Sequence, residues 1–208
     1  MTRSVSSFPI VYDAAGLRCT RPGDHRMGMA APIYYTADMV RALPDDGNRY
    51  EVVYGELVVT PAPRPWHEVI QVRLMLALET YLGRYPVGHV FGSRADISWG
   101  PDVLVSPDVF VVPLEQARTL DWSRMRDLML VAEILSPSSA RHDRFLKRRR
   151  YQEAAVPLYW IVDGDELWVE VWTPTDTLPR LERERLVWHP PAAEEPFSLP
   201  LAELFRPI

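Results

Sequence analysis

Apolar positions along the chain switch between a period of two and a period near 3.6, and the switches mark out its elements. Thr36 is placed to cap a short helix through Leu43, which Pro44-Asp45-Asp46-Gly47 ends. Tyr50 to Val53 and Glu56 to Thr60 read as a hairpin turning at Tyr54-Gly55. A long helix from Trp66 to Tyr85 carries a stripe of Val69, Ile70, Leu74, Leu78, Tyr81 and Leu82. Val87 to Phe91, Ala95 to Trp99 and Val103 to Val112 are predicted strands, and Leu114 to Arg126 a charged connection. Leu128 to Leu135 is almost wholly apolar and stops at Ser136-Pro137, the pattern of a buried central strand. A helix from about Ala140 to Ala155 follows. Leu158 to Val162 and Leu167 to Trp172 then form a second hairpin around Asp163-Gly164-Asp165. Leu186 to His189 adds an edge strand. This order predicts an α/β or α+β domain, a mixed sheet with helices packed on it. Its bounds are 32–190, after an extension over 1–31 and before a tail over 191–208 that holds a short apolar segment, Leu199 to Phe205.

Composition narrows the function classes. The 208 residues are 47% hydrophobic and 25% charged, ordinary for a soluble globular protein. No apolar run approaches the roughly 20 residues needed to span a bilayer, and no signal-peptide pattern opens the chain. The single cysteine, Cys19, excludes an internal disulfide and a cysteine-rich zinc site. A cytoplasmic location and no membrane partner are expected. The net charge of −5 argues against a protein that coats nucleic acid but leaves room for a local basic patch.

Glu133 interrupts the central apolar run. A carboxylate there is costly unless it is paired or binds a metal. Asp108 opens the apolar run Val109 to Val112 in the same way, and two such acids on neighbouring strands could share a divalent cation. Asp102, after Gly100, reads as a turn residue. On the following helix Asp143, Lys147, Tyr151 and Ala154 share one face. Lys147 is either a salt-bridge partner of Glu133 or Asp143, or the cation that meets a phosphate. Glu56 is either a third metal ligand or a solvent-facing strand residue. His67 is either a phosphate contact or proton shuttle, or a structural hydrogen-bonding residue. Tyr151 is placed in the core with its hydroxyl on a nearby carboxylate. Arg144, Arg148 and Arg149 form either a nucleic-acid-binding face or a solvated helix surface.

These residues, in this order, resemble the Uma-two family of the PD-(D/E)XK nuclease superfamily. The likeness rests on Tyr50-Glu51, Gly55-Glu56-Leu57, His67, Pro107-Asp108-Val109, Val131 to Ser138, Asp143, Lys147, Tyr151, Val156-Pro157 and Tyr159 to Asp163. It implies a restriction-endonuclease-like mixed β-sheet flanked by helices. It also implies a metal-dependent endonuclease acting on DNA, with Asp108, Glu133 and the Ile134 carbonyl holding Mg²⁺ or Mn²⁺. Lys147 would serve as the catalytic lysine. The superfamily's triplet lysine is replaced by Leu135, as in the Uma-two pattern, where the lysine sits on the next helix. Leu158 stands where that pattern has Glu. A catalytically silent nuclease-fold protein that binds nucleic acid or a protein partner, and a smaller-substrate metal hydrolase, are the competing readings. The aromatic hairpin and the apolar C-terminal end further predict a homodimer. Lys147→Ala is expected to stay folded and lose rate.

Overall fold

A computed structural model describes residues 33–208, so the extension over 1–31, with Cys19, lies outside the described residues. Three sheets form. Strands β1 (Arg49–Val53), β2 (Glu56–Thr60), β4 (Ile97–Gly100) and β5 (Val103–Val105) make a four-stranded sheet in the order β2-β1-β5-β4. Strands β3 (Gly88–Gly92), β6 (Val109–Pro113), β7 (Leu130–Ile134), β8 (Tyr159–Asp163), β9 (Trp168–Trp172) and β10 (Arg180–Glu182) make a six-stranded sheet in the order β10-β9-β8-β7-β6-β3. Only β7 and β8 run parallel in it, so the sheet is mixed. Strands β11 (Arg185–Trp188) and β12 (Phe197–Pro200) form a separate ribbon.

The six-stranded sheet is buried on both faces, which is why β6 and β7 lack clean alternation. Val109, Val111, Leu130, Ala132 and Ile134 point to one side, against Ile70, Leu74 and Leu78 of helix α2 (Pro65–Arg84). Phe110, Val112 and Val131 point to the other, against Val53, Ile97, Val103 and Val105 of the four-stranded sheet. Short helix α1 (Ala37–Arg41), capped by the Thr36 side chain, covers the outer face of β1 at Val52. The turn after β8 presses onto α2 at Gly164. Trp66 Nε1 donates to its carbonyl at 2.8 Å, and a Cβ there would collide with Ile70.

The predicted strand Val103 to Val112 is two strands. Pro107 cannot donate to a ladder, and the chain crosses at Ser106-Pro107-Asp108 from the four-stranded sheet to the six-stranded one. The tail over 191–208 packs against the domain. Phe197, Leu199, Leu201, Leu204 and Phe205 join the core beneath α2, and Arg73 Nη1 donates to the Leu204 carbonyl at 3.1 Å. Trp160 and Trp172 are likewise buried in the chain's own interior. Much of the apolar surface from which a homodimer was expected is therefore covered within one chain, while Leu167 of the hairpin stays exposed. Among the described residues no helix is long and apolar enough to cross a membrane.

Candidate active site

Strand pleat and register bring the acids together. Val109 pairs with Ala132 and Phe110 with Val131, so one further step sets Asp108 opposite Glu133. Both share the face of Phe110 and Val131, which looks at β1. On β1, Arg49 and Glu51 share the face of Val53, which looks back. Two sheets thus each contribute a pair of charged residues to one buried cluster.

The helix after β7 completes it. It opens with a π-helical turn, His142–Lys147, before an α-helical stretch, Arg148–Glu153. In an α-helix, residues four apart overshoot by roughly 40°, whereas the wider π turn undershoots. The two offset each other, so Asp143, Lys147 and Tyr151 all bury on the cluster side. Lys147 Nζ lies 2.7 Å from Glu51 Oε2, 3.1 Å from Glu133 Oε1 and 3.4 Å from Asp143 Oδ1. The Tyr151 hydroxyl donates to Glu133 Oε1 at 3.0 Å, and the Asp108 N–H to Glu133 Oε2 at 3.3 Å.

Asp108 is held from three sides. Its Oδ2 accepts the Ile134 N–H at 2.8 Å and lies 3.0 Å from His67 Nε2; its Oδ1 accepts Arg49 Nη1 at 2.6 Å. Gln71 Nε2 donates to its carbonyl at 2.7 Å. Beside it opens a cleft of about 1200 Å³ lined by Arg49, His67, Gln71, Asp108, Ile134 and the Ser136–Ser139 loop, among others. Glu51, Glu133, Asp143, Lys147 and Tyr151 lie behind this lining.

Charge dominates the electrostatics. Glu51, Asp108, Glu133 and Asp143 face the two permanent cations Arg49 and Lys147, so with all four carboxyls ionised the cluster would carry an excess of two negative charges. Burial, reinforced by Asp108, Asp143 and Glu51, pushes the Glu133 carboxyl well above the usual range in spite of Lys147. Burial raises Asp143 as well. Burial would also raise Asp108, but the His67 hydrogen bond and the Arg49 charge outweigh it and hold that carboxyl low. Burial disfavours the Lys147 ammonium, yet its three carboxylates hold its pKa above the ordinary lysine value.

The shifts act in two pH windows. Glu133 and Asp143 bind protons in the fold that the unfolded chain has already released, so stability falls as pH rises above the ordinary carboxylate range. Asp108 acts oppositely, and its contribution is lost as pH falls below that range. Metal-free thermal melts should therefore peak at acid pH, and Glu133→Gln should flatten the decline toward neutral pH. A Glu133→Gln profile parallel to that of the wild type would show that Glu133 does not carry the excess charge.

Several expected residues stand elsewhere. Glu56 is exposed at the open start of β2, with His142 Nε2 at 3.8 Å, and does not join the cluster. Glu51 occupies the place expected of it. Arg144 pairs with Glu170 at 2.6 Å and Asp163 at 3.2 Å. Arg148, Arg149 and Arg150 lie over Trp172, Tyr54 and Trp99. These arginines clamp the helix to its neighbours, and none lines the cleft. Arg144 and Arg148 of the expected nucleic-acid face are thus engaged with the chain's own residues, while Arg149, paired with Glu153, stays exposed. Asp102 sits in a turn and accepts the Tyr34 hydroxyl at 2.9 Å, as expected.

A family model described as "Putative restriction endonuclease", Uma2, matches residues 37–202. The chain belongs to the Uma2 family. The likeness read from Tyr50 to Asp163 is met, and the Uma2 match also takes in β9 to β12. The fold of this Uma2 chain is restriction-endonuclease-like. It is similar to a crystal structure from Anabaena variabilis ATCC 29413 described as "a putative nuclease belonging to DUF820". The TM-score is 0.62 at 22% identity, covering 82% of this chain and 97% of that one. No curated protein matches the Uma2 chain in sequence.

Proposed function

We propose that the chain is a divalent-cation-dependent endonuclease that hydrolyses phosphodiester bonds in DNA. The observation that carries this reading is Asp108 and Glu133 facing each other across β6 and β7, in a cluster that is two positive charges short of neutrality once its acids are ionised, beside a cleft. The deficit equals the charge of one divalent ion. Among the described residues no group of three or more His, Cys, Asp or Glu is arranged as a metal cage. A catalytic magnesium commonly takes one or two carboxylates and completes its shell with waters and substrate phosphate. The donor set suits that kind of site.

Asp108, Glu133 and the Ile134 carbonyl would hold Mg²⁺ or Mn²⁺. When bound, the ion would lower the pKa of a water and neutralise charge on the phosphate. The chain's own residues prepare the site. His67 and the Ile134 N–H fix Asp108 Oδ2, while Tyr151 and Lys147 fix Glu133 Oε1. Arg64 and Arg94, both lining the cleft, would take flanking phosphates.

The test is nicking of supercoiled plasmid with Mg²⁺ or Mn²⁺ against EDTA. Open-circular product that depends on the ion is the expected result. A wild-type protein that binds Mn²⁺ yet cuts neither DNA nor RNA would move the reading to a catalytically silent nucleic-acid-binding member of the fold. One observation favours that second reading: Arg49 already occupies Asp108 Oδ1.

A further inference from the structure

Of the two readings of Lys147, the structure shows the salt bridge to Glu133 and Asp143, and it encloses the ammonium away from the cleft. Its side chain is 1% exposed, carboxylates stand on three sides, and it does not line the cleft. Arg49 is placed differently. It starts β1, its side chain is 21% exposed, and it lines the cleft beside Asp108. Its hold is also incomplete. Nη1 reaches Asp108 Oδ1 at 2.6 Å and the Ser106 carbonyl at 3.2 Å, whereas the buried Nε has no hydrogen-bond partner and stays 3.8 Å from Glu51 Oε2. Asp108 Oδ2 is committed to Ile134 and His67, so Oδ1 is the oxygen a cation from the cleft would take.

We propose that Arg49 is an exchangeable counter-ion: it holds Asp108 Oδ1 until a divalent cation displaces it, and the released guanidinium then takes the substrate phosphate. This rests on the nuclease reading above and assigns its phosphate-meeting cation to Arg49, with Lys147 as the fixed charge behind the acids. A guanidinium suits the task, because its planar fork can hold two phosphate oxygens at once. The exchange needs no movement of the strands, only rotation of a long side chain at the start of β1.

The experiment compares the full chain with Arg49→Gln and Arg49→Lys. Mn²⁺ is titrated calorimetrically without nucleic acid, and a fluorescein-labelled oligonucleotide is then bound in Ca²⁺ over a range of salt. Arg49→Gln should bind Mn²⁺ roughly tenfold tighter, because a charged hydrogen bond that competes for the acid is gone. It should bind the oligonucleotide roughly tenfold more weakly, with a salt slope reduced by about one, and Arg49→Lys should restore the slope. A residue that merely supported the acids would weaken Mn²⁺ binding when removed, so an unchanged or weaker Mn²⁺ affinity overturns the exchange and leaves the metal site standing. An oligonucleotide affinity that Arg49→Gln leaves intact overturns it as well. If neither the wild type nor Arg49→Gln binds Mn²⁺, the metal-dependent reading falls and takes the exchange with it. Mn²⁺ binding by Arg49→Gln alone would be its strongest support.

Discussion

Lys147→Met should lower the stability of the metal-free protein by about 3–5 kcal/mol, the cost of leaving buried charges without their partner. The ammonium is enclosed by Glu51, Glu133 and Asp143 within 3.4 Å. Without it, four carboxylates would face Arg49 alone among the permanent cations. Protonation of some of them limits the damage, which puts the expected loss within that range rather than beyond it. This expected loss stands against the reading from sequence that a Lys147 variant stays folded. Chemical denaturation in EDTA gives the number. A variant that unfolds within about 1 kcal/mol of the wild type would mean that the acids are neutralised by bound protons instead. Saturating Mn²⁺ should recover part of the loss, because a ligand that binds only the folded state stabilises it.

Asp108→Asn and Glu133→Gln should each abolish divalent-ion binding and plasmid nicking together. The loss in rate is expected to be roughly a thousandfold or more, since several kcal/mol of charge stabilisation go with the ion. The two variants should differ in stability. Glu133→Gln is close in shape to a protonated Glu133 and removes a like charge from the cluster, so its metal-free melt should stay near that of the wild type. Asp108→Asn breaks the 2.6 Å pair with Arg49 and weakens the His67 contact, so it should melt earlier. Calorimetric titration, nicking and thermal melting on the same preparations separate these effects. An Asp108→Asn protein that still cuts with an ion would remove Asp108 from the site.

Much of this site could be read from the chain before any coordinates. Asp108 and Glu133 stood out because each breaks an apolar strand, and that anomaly survives into the structure as their pairing. Asp143, Lys147 and Tyr151 were legible from four-residue spacing, although the π turn that perfects their alignment left no mark in the residues. Glu51 was visible as part of the family likeness but received no role. The run Tyr50-Glu51-Val52-Val53 has no clean alternation, because β1 is covered by α1 on one face and by the six-stranded sheet on the other. The same test that flagged Glu133, an acid inside a strand, would have found it. Arg49 carried no such signal, since an arginine after Gly47-Asn48 reads as the end of a turn. The tail is a different case. Its apolar segment Leu199 to Phe205 is legible, but that β12 and the short helix after it fill a groove of this same chain follows only from tertiary packing.

The crossing at Ser106-Pro107-Asp108 has a mechanical side. It carries the chain from one sheet to the other beside the cluster, where the Arg49–Asp108 pair spans the two sheets and Lys147 bridges Glu51 of one to Glu133 of the other. Arg49 and Glu51 ride on the four-stranded sheet, Asp108 and Glu133 on the six-stranded one. The proposed reaction centre is therefore also the seam between two slabs, joined by ion pairs. The proposed exchange at Asp108 would change the stiffness of that seam, so occupancy of the site would be felt as a loosening or tightening between the two sheets.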